Sequence, residues 1–345
     1  MLSLPASYKA WKGFMNGFLK MITRMTLWVS CLFLYPVPME CAGKPTLEGG
    51  RPKKIVITGA NGWIGYNACK AFKGYQLILV DNKAGYDPTN RFAMEGVDQS
   101  ISAELRNKII KIDLATAKGG IKFTELLNVE NPDCVLHLAA ILENQTITEI
   151  EKNNIITANV LNACVKKQVK LIAASSIMVM FGKAVRNQRI KQILFGNLAV
   201  KPDYQLSVDD ELENNEETIL QFGREKYKQY LAYIQTKEYL ENYAKKLVKE
   251  NPNQTIILAR FGWTGIKNPY ELEKNNYLKG STFYLAQEDL QTFLIKCVEA
   301  ILTDKVTKCR KYVVVSEHPQ RWVDMHNAKH DLGWEPAINI KEKYS

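Results

Sequence analysis

Three observations predict a doubly wound α/β fold built on a parallel sheet. From residue 53 onward, short runs rich in Val, Ile and Leu alternate with longer amphipathic stretches. The runs are continuously apolar, as expected of strands covered on both faces by helices. The first of them ends in the turn Thr58-Gly59-Ala60-Asn61-Gly62-Trp63-Ile64-Gly65, and the second ends in Asp81. Strands are predicted at 54–59, 76–81, 108–113, 133–140, 170–175, 255–260 and 311–316. Helices are predicted at 62–73, 120–128, 145–167, 226–250 and 286–303.

The opening unit carries the clearest chemistry. Strand, glycine turn, helix, strand and terminal acid, in that order, mark a dinucleotide-binding Rossmann unit. The glycines permit a tight turn and close backbone approach to a pyrophosphate, which the N–H groups at the helix start then hold. Asp81 lies about twenty residues beyond the first glycine, where a carboxylate accepts from the adenine ribose hydroxyls. The same charge repels a 2′-phosphate, so NAD is the expected cofactor, with Lys83 the nearest basic residue to argue otherwise. Expected contacts from this unit are Gly59, Asn61, Gly62, Trp63, Ile64, Gly65 and Asp81.

The fifth run, LIAASS, ends in Ser175 and Ser176, at the carboxyl edge where such sheets bind ligands. The following long helix carries Tyr233 and Lys237 four residues apart, on one face. A free phenol, with a pKa near ~10, is a poor base at neutral pH. A lysine ammonium and a nicotinamide cation nearby would stabilise its phenolate, letting Tyr233 take a hydroxyl proton during hydride transfer. The same spacing recurs at Tyr8/Lys12, Tyr66/Lys70 and Tyr270/Lys274, so position decides: only the Tyr233 pair opens the helix between the fifth and sixth strands. Ser176 is the expected hydroxyl donor to the substrate oxygen.

These elements divide the chain into an NAD-binding domain at 51–262 and a smaller substrate lobe at 263–345. Within the first, 183–225 is weakly patterned and holds the acidic run Asp209-Asp210-Glu211-Leu212-Glu213, which reads as a surface insertion. Residues 1–50 stand outside the fold as a leader or extension. No acid occurs before Glu40, and the apolar run Met25–Met39 is interrupted by Pro36 and Pro38, too short to span a bilayer comfortably. It resembles a signal-peptide core with Cys41-Ala42-Gly43 as cleavage site; an organelle presequence, or an upstream extension before a start at Met39, reads equally well. The expected location is cytoplasmic, or the secretory pathway or an organelle if the 1–43 leader is genuine. Membrane association is expected only if that leader is retained.

Composition narrows the partners. Lys and Arg number 46 against 36 Asp and Glu in 345 residues, for a net charge of +10. The excess is scattered lysine without interleaved aromatics, so no nucleic-acid partner is expected. The seven cysteines form no Cys-x-x-Cys pair and mostly sit in apolar context, as buried thiols of a reducing compartment do. His326 and His330 have no accompanying ligand cluster, and no metal is expected.

Taken together, TGANGWIG (58–65), Asp81, Asp113-Leu114, HLAA (137–140), NNIITANVLNA (153–163), ASS (174–176), YIQTK (233–237) and LGWEP (332–336) resemble the extended short-chain dehydrogenases/reductases, the NAD-dependent epimerase/dehydratase family, over about residues 53–340. The resemblance implies that Tyr233 is the acid/base, Lys237 binds the nicotinamide ribose and Ser176 orients the substrate. It also implies that Asp113 and Leu114 touch adenine, that Leu138, Ala139 and Ala140 lie under the nucleotide, and that Asn153 supports the lysine. ARFGWTG (259–265), FYLAQEDL (283–290) and Arg321-Trp322-Val323-Asp324 are most similar to the uronate dehydrogenase branch, whose members oxidise a sugar acid at its anomeric carbon. The expected function is therefore hydride transfer from a sugar or sugar-acid hydroxyl to NAD. Two alternatives stay open: a nucleotide-sugar epimerase or dehydratase that recycles its NAD, and a non-catalytic nucleotide-binding scaffold. Counting back from Phe181-Gly182 gives a different alignment, which puts Ile177 at the hydroxyl position. The two long helices resemble those that pair in homodimers of the family.

Overall fold

The seven apolar runs do become seven strands, all parallel: β1 (Lys54–Thr58), β2 (Gln76–Asp81), β3 (Ile109–Lys111), β4 (Cys134–His137), β5 (Lys170–Ser176), β6 (Ile256–Phe261) and β7 (Cys309–Val314). They form one sheet in the order β3-β2-β1-β4-β5-β6-β7 in a computed structural model of the chain. The structure describes residues 52–83, 108–197, 199–210, 212–223, 226–265, 268–273 and 278–344. The leader at 1–50 lies outside the described residues. All described residues belong to one compact unit, Thr46–Ser345.

Strand alternation sorts the apolar side chains into two layers. Ile55, Ile57, Leu79, Leu136, Ile172 and Ile257 face one way, against Phe72, the C-cap of α1 (Trp63–Ala71). Val56, Val80, Val135, Leu171 and Leu258 face the other, against Phe123 of α2 (Ala117–Glu130) and Val160 of α3 (Asn153–Lys167). The long α4 (Tyr227–Glu250) contributes to both layers, with Ile234 in the first and Leu240 and Ala244 in the second. Phe293 of α5 (Gln287–Leu302) joins the first layer. Burial on both faces is why the strands read as unbroken apolar runs.

The sequence order of the strands reverses between β1 and β4. In an open parallel sheet, such a reversal leaves a crevice at the carboxyl edge, where ligands bind. β7 pairs with β6, so the chain beyond residue 262 returns to the same sheet.

Two local expectations differ from the structure. The helix predicted over 145–167 is broken at Lys152: a short helix, Ile147–Glu151, is capped by Thr146 Oγ1 accepting Glu149 N at 3.3 Å, and α3 follows. The segment 183–225 is not a solvated surface insertion. Its Ile190, Ile193, Leu194, Leu206 and Ile219 are fully buried in the first core layer. Leu206 also bridges to Val323, with Leu206 N donating to Trp322 O at 2.9 Å and Asp324 N to Leu206 O at 2.8 Å. Apolar side chains on short helices gain more by packing here than the acidic run gains from water.

Candidate active site

Gly59 stands directly after β1 with φ +71°, a left-handed conformation that L side chains adopt only under strain. A Cβ there would meet Ala139 N at 2.6 Å and Leu138 C at 2.7 Å, so the turn after β1 lies against the turn after β4. Gly65 is equally confined, since a Cβ would fall 2.4 Å from Gly59 O. Leu138, Ala139 and the glycine turn thus meet at the strand-order reversal. Gly62 caps α1 without a side-chain hydrogen bond, leaving the helix start to the backbone N–H groups. Such an end favours an anion. Trp63 anchors the turn from outside, its Nε1 donating to Thr264 Oγ1 at 3.1 Å. Ile64 packs on the core.

Asp81 ends β2 beside this turn. Its Oδ2 accepts Asn61 N at 3.0 Å and its Oδ1 accepts Lys83 N at 3.2 Å, fixing the carboxylate. Burial raises the Asp81 carboxyl, and the Asn61, Lys83 and Asn82 amides partly offset this. Asp113 and Leu114 follow β3; Asp113 Oδ1 accepts Ala115 N at 3.0 Å, and Leu114 is buried. A cradle closed to any Cβ, an open helix start and a fixed acid at the next strand end fit a dinucleotide.

Across the reversal, Ser176, Tyr233 and Lys237 converge at the end of β5, only 8%, 7% and 6% exposed. Ser176 Oγ accepts Met178 N at 3.2 Å, which fixes the hydroxyl at the start of a 3₁₀ turn over Ile177–Met180. Ile177 itself is fully buried. Lys237 Nζ donates to Ala174 O at 2.8 Å and lies 5.6 Å from the centre of the Tyr233 ring. Burial pushes the Tyr233 phenol well above its usual value, the Glu143 charge adds to the rise, and a hydrogen bond with Ser176 opposes it. Burial also lowers Lys237 to about 8, against the pull of Glu241.

Asn153 starts α3 and is buried. It brackets Ile141, accepting its N–H at 2.8 Å and donating to its O at 2.8 Å, and reaches Thr236 Oγ1 at 3.5 Å. It therefore joins the loop after β4, which also carries Ala140, to the turn of α4 next to Lys237. The structure adds groups that sequence reasoning passed over: His137, Glu143, Glu241 and Arg260. A histidine and an arginine inside otherwise apolar strands, and an acid four residues beyond Lys237, were the available signals.

The sequence profile of the NAD dependent epimerase/dehydratase family matches residues 55–271. The chain belongs to that family. Its fold is similar to uronate dehydrogenase from Agrobacterium tumefaciens at 19% identity and a TM-score of 0.56, over 84% of this chain and 86% of that one. The UDP-Glc/GlcNAc 4-epimerase from Campylobacter jejuni is similar at 14% identity and a TM-score of 0.57, over 83% of this chain and 94% of that one. Glucuronic acid dehydrogenase from Chromohalobacter salexigens is similar at 16% identity and a TM-score of 0.55, over 85% and 87%. No curated protein matches the sequence. The family is NAD-dependent, and the protein is an enzyme of the dehydrogenase/epimerase type. No helix among the described residues is long and apolar enough to cross a membrane.

Proposed function

We propose that the protein is a dehydrogenase that oxidises a hydroxyl of a sugar or sugar acid, with net reduction of NAD. The observation that carries this reading is the convergence of Ser176, Tyr233 and Lys237 at the carboxyl end of β5, on the same edge of the sheet as the glycine turn two strands away. Gly59, Asn61, Gly62, Trp63, Ile64 and Gly65 would hold the pyrophosphate side of NAD. Asp81 would hold the adenine ribose, with Asp113, Leu114, Leu138, Ala139 and Ala140 around the base and its sugar. Hydride acceptance is the chemistry that NAD supplies when bound. Tyr233 takes the proton of the substrate hydroxyl. Ser176, its oxygen already held by Met178 N, places the same substrate oxygen. Lys237 stabilises the phenolate of Tyr233 and holds the nicotinamide ribose, and Asn153 steadies this part of α4 through Thr236. The near absence of solvent around these groups strengthens each of these interactions.

Residues 263–345, together with the buried segment 183–225, would form the substrate-facing walls. Ser176 presents a hydroxyl where Ile177 presents none, and this favours the Ser176 register over the alternative alignment. Five described cysteines are free, four of them buried, in keeping with a reducing compartment such as the cytoplasm. The test is NADH formation by the full-length chain given NAD and a panel of uronic acids, aldoses and nucleotide sugars. Net NADH with a free sugar or sugar acid, abolished in Tyr233→Phe while NAD affinity is kept, is expected. Tightly retained NAD with no net NADH from any panel member would overturn the dehydrogenase reading in favour of internal recycling.

A further inference from the structure

Behind Lys237 lies a buried charge pair that the proposed proton transfer does not use. Glu241 is one turn further along α4, 6% exposed. Its carboxylate accepts Arg260 Nε at 2.9 Å and Arg260 Nη2 at 2.7 Å, and its Oε1 also accepts Ser175 Oγ at 2.7 Å. Arg260, on β6, is fully buried, and its Nη1 donates to Val208 O at 3.2 Å. Replacing a buried ion pair by apolar side chains is often neutral or stabilising, so stability alone is weak grounds for keeping one. What distinguishes this pair is its neighbour. Lys237 Nζ donates to a neutral carbonyl, Ala174 O, and the side chain is otherwise enclosed.

We propose that Glu241, clamped by Arg260 and Ser175 one turn of α4 beyond Lys237, is a positioning residue that keeps the buried Lys237 ammonium charged. The role rests on the dehydrogenase reading above. Other polar and charged groups face this region from the elements packed around it. From β4 comes His137, a neutral imidazole whose protonation Lys237 further opposes. From β5 come Ser175 and Ser176, and from β6 comes Arg260. From β7 comes Lys311, whose Nζ donates to Val208 O at 3.0 Å. On α4 itself are Tyr233 and Glu238, the latter accepting from Asn214 Nδ2 at 2.7 Å. Of these, Glu241 is the anion that acts to raise Lys237 against its burial. Without it, burial favours the neutral amine, which would stabilise the Tyr233 phenolate far less.

The test follows the ionisation of Lys237 directly, by NMR of the full-length chain carrying ¹³C-labelled lysine. Its signal is assigned by its loss in Lys237→Arg. Glu241→Gln is expected to raise the acid ionisation constant of Lys237 at least tenfold and to bring the alkaline fall of turnover to lower pH by the same amount. Because that change leaves Arg260 buried without its partner, the double variant Glu241→Leu, Arg260→Met keeps the test open if the single one does not fold. A folded double variant in which Lys237 titrates as in the wild type would overturn the proposal. A shifted Lys237 in a protein that forms no NADH supports the positioning role and counts against the dehydrogenase reading alone. An unshifted Lys237 in an active enzyme overturns the positioning role alone.

Discussion

Ser175 and Ser176, adjacent at the end of β5, are committed to opposite sides of the sheet. Ser175 Oγ donates to buried Glu241 Oε1 at 2.7 Å, whereas Ser176 Oγ accepts Met178 N at 3.2 Å. Strand alternation imposes this division, because successive side chains of a strand point to opposite faces. Only Ser176 therefore lies on the side of the sheet where Tyr233 packs.

The two serines should separate in a kinetic comparison. Loss of a preorganised donor to a reacting oxygen costs about 10²–10³ in turnover, and this is expected for Ser176→Ala. Ser175→Ala removes one of three donors to the Glu241 carboxylate and should leave turnover within roughly tenfold of wild type, at a stability cost of about 1–3 kcal/mol. The check is kcat for both variants alongside their urea unfolding curves. Equal losses of kcat would show that the chemistry does not depend on which face the hydroxyl occupies.

Glu143 gives a prediction in pH. After burial, its charge is the next influence that holds Tyr233 protonated. Removing a nearby negative charge makes the phenolate easier to form, so its pKa falls. In Glu143→Gln, the rising limb of kcat against pH should move to lower pH, with turnover at pH 7 increased. A rising limb at unchanged pH, measured over pH 6 to 10, would exclude Tyr233 as the group that titrates there.

The reasons why some features were legible and others were not are physical. β1, β2, β5 and β6 announce themselves because both faces of their central residues are buried, so three or more consecutive positions in each are apolar. The glycine turn is legible because no other residue type fits at Gly59 or Gly65. Buried segments held by remote partners are not legible. Leu206 meets Val323, and Glu241 on α4 meets Arg260 on β6; neither pairing leaves a local pattern. The break at Lys152 also escapes local reading, because the residues on either side of it are all acceptable in a helix and only the Thr146 cap marks the first piece.

The glycine turn predicts a contrast between stability and binding. Gly59→Ala combines a positive φ with backbone contacts at 2.6 Å, and should cost roughly 1–3 kcal/mol or prevent folding. A Cβ on Gly62 meets only Gly59 O at 3.3 Å. Gly62→Ala should therefore fold with near wild-type stability, yet bind NAD at least about tenfold more weakly by intruding where the pyrophosphate approaches the backbone. Thermal unfolding without NAD, paired with titration calorimetry for NAD, checks both halves. Normal NAD affinity in Gly62→Ala would place the pyrophosphate elsewhere.

The final prediction concerns acid. Thr58 Oγ1 accepts Leu138 N at 3.3 Å and Ala139 N at 3.4 Å, so its own proton is free to bond His137 Nδ1, 2.7 Å away. That arrangement needs an unprotonated Nδ1, and hence a neutral imidazole. Burial, reinforced by the Lys237 charge, lowers His137 to about 3, and burial reinforced by Lys341 lowers His318 to about 4. An unfolded histidine titrates near ~6.5. Between those values the unfolded chain binds more protons than the native one, so stability falls as pH falls through 6.5 and continues to fall toward the native values. Each histidine contributes a slope of up to about 1.4 kcal/mol per pH unit within its window. Buried acids whose native values are raised, such as Asp81 and Asp289, act in the opposite direction at the lower end. Comparison with His137→Gln removes that background. The variant should lose stability less steeply between pH 5.5 and 4, by about 1.4 kcal/mol per pH unit, in urea unfolding at stepped pH. Parallel stability curves for the two proteins would mean that the native protein tolerates a charged imidazole under the nucleotide turn, and that the Thr58 hydroxyl does not select the neutral form.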